Sequence, residues 1–381
     1  TLKPPFRWFG GKSKCADTVS NYFHDVDNDV EPFAGSIAAL LNRPEGWKGV
    51  ETVNDLDGYI ANFWRAVKHD PVAVAQYANN PVNEADLTAR HLWLVNTGKE
   101  RVNKLFGDPD YYDAKVAGWW VWGICCWIGT GWCSGQGPWR ADEDGQLIHL
   151  GNAGQGVNRQ RIHLGNAGQG VKRGRIHLGD AGQGVNRKRI HLGNAGQGVE
   201  RRLIHLGAGR GVNRKLIHLG NAGQGVDTGE DCLIEYMTAL AERLRYVRVC
   251  CGDWQRVVTG GALATGNVKG IFLDPPYDQS IRNDGCYNTD SEGLSAQAYD
   301  WAIEHQDWPD YRIILCGYEG EHDIPKRWKT IEWTANRAYG RMNTVTANSE
   351  NRRKERLWVS PQCTERSESS HKPLSQFGVT A

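Results

Sequence analysis

Gly270-Ile271-Phe272-Leu273-Asp274-Pro275-Pro276-Tyr277 is an apolar run that stops on two prolines. Neither proline can donate a ladder hydrogen bond, so a buried strand has to end there. The side chains that follow are left at the carboxyl end of the sheet, where open α/β folds place their ligands. Asp274 and Tyr277, held apart by Pro275 and Pro276, make a small polar clamp with one stacking wall. An Asp-Pro pair also opens ordinary turns, so the clamp draws its weight from the rest of the chain.

Three further stretches read as strand ends or ligand turns. Val30-Glu31-Pro32-Phe33-Ala34-Gly35-Ser36 precedes the helix-like Ile37-Ala38-Ala39-Leu40-Leu41. A strand, a glycine turn and a helix in that order suit a nucleotide-like cofactor. Val50–Val53 reads as a second strand, ended by Asn54-Asp55. Asp55 stands at the spacing from the glycine turn at which Rossmann-like folds hold ribose hydroxyls. It would serve equally as the N-cap of a helix over Gly58–Val67. In Phe6-Arg7-Trp8-Phe9-Gly10-Gly11-Lys12 the glycines permit close approach to a ligand and Lys12 can meet a carboxylate. A tight surface turn is the plainer alternative.

The middle of the chain has a different character. Ile60, Phe63, Trp64 and Val67 recur at helical spacing, and the helical pattern runs from Tyr59 to Lys115. Residues 116–140 carry Trp119, Trp120, Trp122, Trp127, Trp132 and Trp139, a density that belongs to a core more often than to a stacking surface. From Ile148 to Val226 a 14-residue unit close to Ile-His-Leu-Gly-Asn-Ala-Gly-Gln-Gly-Val-Asn-Arg-Lys-Arg recurs, with copies starting at Ile148, Ile162, Ile176, Ile190, Ile204 and Ile217. Thirteen Lys and Arg against two acids give this segment +11, leaving about −10 for the rest of a chain whose total is +1. Glycine amides and arginines at fixed spacing can meet phosphates, and Arg159, Arg173, Arg187 and Arg214 follow the same Gly-x-Gly-Val-x turn. A solvated low-complexity insertion is the bland alternative. One histidine per copy, without Cys or carboxylate partners, is poor ligand spacing, so no metal is expected.

Past the repeats the expected order is a helix over Asp231–Leu244, a strand ending at Asp253-Trp254, the Asp274 strand, and a polar loop to Leu294. A helix to His305, a strand over Arg312–Cys316, and two late strands, Trp328–Trp333 and Glu355–Val359, of antiparallel-edge type follow. Ten cysteines without a regular framework read as reduced thiols in a cytosolic protein. No export signal and no apolar run of about 18 residues is visible, so a soluble, cytoplasmic protein without a membrane partner is expected. Monomer and dimer both remain open.

With these pieces in order the sequence resembles the Dam-like, D12-class adenine-specific DNA methyltransferases over most of residues 5–360 outside the repeats. Trp8-Phe9-Gly10-Gly11-Lys12 is similar to that family's N-terminal methionine-binding motif. Glu31-Pro32-Phe33-Ala34-Gly35-Ser36 is similar to its cofactor loop, Asn54-Asp55 to its ribose-binding acid, and Asp274-Pro275-Pro276-Tyr277 to its catalytic motif. Cys251-Gly252-Asp253-Trp254 resembles the strand end that meets the cofactor's adenine ring. The chain departs from the family at Ser36-Ile37, where more glycine is usual, and it has no fixed counterpart of the target-recognition region beyond the repeats.

The resemblance implies a Rossmann-like α/β sheet split by insertions. Residues 1–58 and 227–361 then form the two parts of the methyltransferase domain, and 59–147 a helical cap or target-recognition region. The basic repeats occupy 148–226, and 362–381 is a frayed tail. S-adenosylmethionine is the implied cofactor and double-stranded DNA the implied partner. The chemistry is coherent on its own terms. Adenine's exocyclic amine is a poor nucleophile, and Asp274 with the Pro275 carbonyl can each accept one of its N–H bonds while Tyr277 stacks on the ring. An RNA adenine enzyme, an N4-cytosine enzyme and a non-catalytic nucleic-acid-binding array are the competing readings.

The repeat charge yields a direct test. Each phosphate neutralised adds about −0.9 to the slope of log K against log salt. Deleting two copies of the array should flatten that slope by roughly one to three units and leave S-adenosylmethionine affinity unchanged. A passive spacer leaves the slope where it was, and a salt titration of DNA binding separates the two.

Overall fold

The computed structural model describes residues 2–6, 8, 12–44, 46–108, 110–127, 131–133, 139–141, 147–149, 230–277, 293–333 and 355–366. In chain order the strands are β1 (Asn28–Glu31), β2 (Val50–Asp55), β3 (Trp139–Ala141), β4 (Leu147–His149), β5 (Arg248–Cys251), β6 (Lys269–Leu273), β7 (Tyr311–Tyr318), β8 (Lys329–Glu332) and β9 (Glu355–Val359). The helices are α1 (Ala16–Tyr22), α2 (Ala38–Leu41), α3 (Gly58–His69), α4 (Pro71–Ala78), α5 (Glu84–Trp93), α6 (Lys99–Val102), α7 (Ala114–Cys126), α8 (Glu230–Leu244) and α9 (Leu294–His305).

Seven strands form one sheet in the order β5-β2-β1-β6-β7-β9-β8, and β3 and β4 form a separate antiparallel pair. β5, β2, β1, β6 and β7 are mutually parallel, while β9 runs antiparallel to both β7 and β8. The late strands therefore make the antiparallel edge that the sequence led us to expect. The chain moves outward from β1 to β2 and β5 on one side, then from β6 to β7 on the other. The order reverses between β1 and β6, which is where an open α/β sheet forms a crevice.

Both faces of the sheet are buried, as the continuous apolar runs require. Val30, Ile271, Leu273, Ile313 and Leu315 share a core with Ala298 and Ala302 of α9. Phe272, Ile314, Cys316, Leu357 and Val359 face the other way, against Val19, Tyr22 and Phe23 of α1 and the residue after it. A third, mainly helical core joins Val53 and Val247 to α3, α4, α7 and α8. Trp120, Trp122, Trp127 and Trp132 are all buried in it, so for these four the core reading of the tryptophan-rich stretch is the one realised. Local capping explains where the helices begin. Asp57, Asp70, Asn83 and Asp113 each accept a first-turn amide, and Pro71 occupies the first position of α4.

A buried and a half-buried arginine tie the short helix α2 and the residues after it to the sheet. Arg43 meets Asp29 of β1 at 2.6 Å and donates to the Phe23 carbonyl at 3.0 Å. Arg243 of α8 grips both oxygens of Glu51 at 2.6 Å and donates to the Leu40 carbonyl at 2.7 Å. At the start of the expected tail, Cys363 donates to the Ile313 carbonyl at 3.7 Å, and Glu365 is held by Tyr22 and Lys329. The remainder of that tail, and the repeats beyond His149, lie outside the described residues.

Removing the Arg43 guanidinium leaves Asp29 buried without its ionic partner. Arg43→Met should lower the unfolding free energy at neutral pH by about 3–5 kcal/mol, read by urea denaturation.

Candidate active site

Four strand ends meet at the switch point. β1 runs into Pro32–Ser36, β2 ends on Asn54 and Asp55, β5 leads into Gly252-Asp253-Trp254, and β6 leads into Asp274. They surround one cleft, to which residues from all four strand ends contribute. Of the residues singled out in the sequence, Trp8, Lys12, Glu31, Pro32, Phe33, Gly35, Asp55, Asp253, Trp254, Asp274 and Pro276 line this cleft. Pro275 and Tyr277 are buried beside it. Gly10 and Gly11 lie outside the described residues, as do Arg159, Arg173, Arg187 and Arg214.

Asn54 holds the loops together. Its amide donates to the Pro32 carbonyl at 3.0 Å and to the Gly252 carbonyl at 2.9 Å, so one buried side chain fixes the ends of β1, β2 and β5. Its partners are distant in sequence, and nothing in its neighbourhood announces the role. Asp55 accepts the Gly35 N–H on Oδ2 and the Asp57 N–H on Oδ1, both at 2.9 Å. The N-cap of α3 is Asp57, which accepts from Tyr59 at 2.8 Å, so Asp55 is released from the capping alternative and faces the cleft. Burial, then the neighbouring Asp57, pushes the Asp55 carboxyl up to about 7.

The turn after β1 is closely built. Gly35 has φ +47°, and a Cβ there would meet Trp8 at 2.4 Å, so both backbone conformation and space demand glycine. Trp64 donates its indole N–H to the Gly35 carbonyl at 2.9 Å. Two residues on, Ile37 takes φ 47° and ψ 37°, a left-handed conformation that is costly for a β-branched residue. This is the position at which the chain departs from the expected glycine, and full burial of the Ile37 side chain offsets the strain. On the opposite wall the Phe33 and Trp254 rings pack at 5.6 Å between centroids, tilted by 31°.

At the end of β6, Lys12 Nζ lies 2.6 Å from Asp274 Oδ1. Lys12 also donates to the Tyr277 hydroxyl at 2.8 Å, which donates in turn to Asp274 Oδ1 at 3.3 Å. Burial opposes the Lys12 charge, but Asp274 foremost outweighs it and holds the ammonium above its ordinary pKa. Burial raises the Asp274 carboxyl, against the pull of Lys12 and Tyr277. The Tyr277 ring packs edge-on against Tyr318 at 4.7 Å and is buried, so the stacking wall expected at 277 is turned into the core; Pro276 lines the cleft instead. Glu355, the first residue of β9, is a second buried carboxylate in this surround that no sequence motif marked.

The donor set suits a polar nucleoside-like cofactor. Asp55 and Asp253 present carboxylates, the bare Gly35 backbone lets Trp8 close against the turn at the cleft wall, and Phe33 and Trp254 supply apolar rings. Glu31 Oε1, Asn54 Oδ1 and Trp254 Nε1 are buried without a hydrogen-bond partner among the described residues, and all three residues line the cleft. Such orphaned polar atoms are costly unless a ligand or water meets them. Among the described residues no group of His, Cys, Asp and Glu is placed to hold a metal ion, and no helix is long and apolar enough to cross a membrane.

Comparison with curated proteins gives no match to the chain. Residues 8–104 match the family model of the D12 class N6 adenine-specific DNA methyltransferase. The match takes in Lys12, the β1 turn and Asp55, and stops well before Asp274. A cleft at the switch point of the sheet, lined in part by these matched residues, accords with it, and the similarity to the D12 class of N6 adenine-specific DNA methyltransferases extends over residues 8–104.

Proposed function

We propose that the protein methylates the N6 amine of a flipped-out adenine in double-stranded DNA, with S-adenosylmethionine as methyl donor. The observation that carries this reading is the convergence of Asp274 and Asp55, from opposite sides of the switch point, on one cleft. When bound, S-adenosylmethionine supplies an electrophilic methyl group. Asp55 accepts hydrogen bonds from the ribose hydroxyls, Asp253 and Trp254 border the adenine end, and Trp8 with the Gly35 turn borders the methionine end.

Asp274 and the Pro275 carbonyl each accept one N–H of the target amine, which frees the nitrogen lone pair from the ring and points it at the methyl donor. Pro276, on the cleft wall, is the surface against which the purine rests. The Asp274 carboxylate takes up the proton that the nitrogen sheds. Flipping the base costs a few kcal/mol of unstacking, and the +11 repeat segment supplies the phosphate contacts that offset it.

Nucleoside mass spectrometry of DNA treated with the protein and S-adenosylmethionine identifies the product. N6-methyladenine is the expected base, and N4-methylcytosine or unmodified DNA would overturn the assignment. Asp274→Ala should lower turnover by at least 10²–10³, roughly the cost of one preorganised interaction, with DNA binding retained.

Asp55 adds a pH signature. Its raised pKa means that the carboxylate is present above about pH 7 and takes up a proton as the pH falls through that value. S-adenosylmethionine affinity should therefore weaken several-fold between pH 7.5 and 6, and Asp55→Asn should bind more weakly at pH 7.5 with that dependence lost. Calorimetry at the two pH values checks both.

A further inference from the structure

The cation on the Asp274 carboxylate has no part in the reaction as stated above. Lys12 is only 3 % exposed, with Nζ 2.6 Å from Asp274 Oδ1 and 2.8 Å from the Tyr277 hydroxyl. The ammonium also lies 5.2 Å from the Tyr277 ring centroid and 5.3 Å from that of Trp333. The groups around the pair come from every element packed on it: Cys15 after the Lys12 turn, Cys316 of β7, and Glu355 of β9. Glu355 is itself 5 % exposed, and its Oε2 has no hydrogen-bond partner among the described residues.

We infer that Lys12 is a positioning residue for Asp274, fixing Oδ1 and keeping the carboxylate ionised so that Oδ2 meets the substrate amine. The inference rests on the methyl-transfer reading. A buried carboxyl without a cation drifts toward its neutral form, and a neutral acid is a poor acceptor for an amine N–H. An ammonium at 2.6 Å opposes that drift, and the Tyr277 hydroxyl, bonded to both partners, holds the carboxylate in one rotation. The cost of burying Lys12 is offset by two carboxylates, Asp274 and Glu355, around one cation.

A lysine committed in this way is not the ligand of the methionine carboxylate that its sequence position suggests. The two roles predict different measurements. A cofactor ligand, when removed, raises the dissociation constant for S-adenosylmethionine. A positioning residue, when removed, lowers kcat at saturating cofactor and moves the acid limb of the pH–rate profile upward, because Asp274 then protonates at higher pH.

The test is steady-state kinetics on Lys12→Met from pH 5.5 to 9, with cofactor binding followed by calorimetry. The expected result is a kcat at neutral pH lower by at least about tenfold, an acid limb raised by about one unit or more, and a cofactor dissociation constant within about twofold of wild type. An unmoved acid limb, or a dissociation constant raised about tenfold with kcat retained, overturns the inference. If Lys12→Met does not fold, Tyr277→Phe carries the test: a smaller upward shift of the same limb supports the inference and an unmoved limb overturns it.

Urea unfolding tests the pairing without any activity. Loss of Lys12 raises the folded-state pKa of Asp274, so the stability gap between wild type and Lys12→Met should widen as the pH rises from 4 to 8. A gap independent of pH overturns the pairing. A wild-type protein that methylates no DNA but shows the widening gap overturns the methyl-transfer reading and the catalytic use of Lys12, and leaves the ion pair standing.

Discussion

The site exists because β1 and β6 are neighbours. Asn28 lies opposite Lys269 and Val30 opposite Ile271, in parallel, which brings the Pro32–Ser36 turn and Asp274 to the same end of adjacent strands. This register is held from below. Asp27 accepts the Asn267 and Val268 amides at 2.8 and 2.9 Å, and Asn28 donates to the Thr265 carbonyl at 2.7 Å. A slip of one residue would turn Ile271 and Leu273 toward the face that Phe272 now occupies, exchanging the contents of two cores. The geometry of the cleft at one end of the sheet is thus set by the hydrogen bonds of Asp27 and Asn28 at the other.

The strand ends were legible in the sequence because each is an apolar run cut by a residue that cannot continue it. Pro275, Gly252 and Pro32 mark three of them, and the acids at 55, 253 and 274 do reach one cleft. What the sequence left ambiguous was whether Asp55 meets a ligand or caps α3, and only the course of the backbone gives the cap to Asp57. Residues whose function is to be in contact with something far away were not legible. Asn54, Asp27 and Glu355 carry no local signature, since their partners come from other strands. Lys12 and Tyr277 stand where the sequence put them, and the bonds that tie both to Asp274 are a further feature that no local signal announced.

The turn between β1 and α2 concentrates more constraint than its length suggests. Gly35 and Ile37 both take left-handed backbone conformations, and a free chain would not hold two of them so close together. Asp55 and Trp64 fix the Gly35 amide and carbonyl, and Arg243 fixes the Leu40 carbonyl. These anchors come from β2, α3 and α8, so the turn is shaped by the helical layer as much as by the sheet. The same anchoring presents the Gly35 amide, the Asp55 carboxylate and the Trp8 ring together at the rim of the cleft.

The position of β9 has a consequence for how the protein is made. β9 sits inside the sheet, between β7 and β8, and β8 pairs with no other strand among the described residues. During synthesis β7 and β8 therefore leave the ribosome a few seconds before the strand that joins them. Through that interval β7 presents an open edge, and Glu355 has not yet arrived beside Lys12 and Asp274. Among the described residues the sheet and the charge cluster at its carboxyl end are completed in one event, by residues 355–359, so a nascent chain holds Lys12 and Asp274 without Glu355 until β9 has docked.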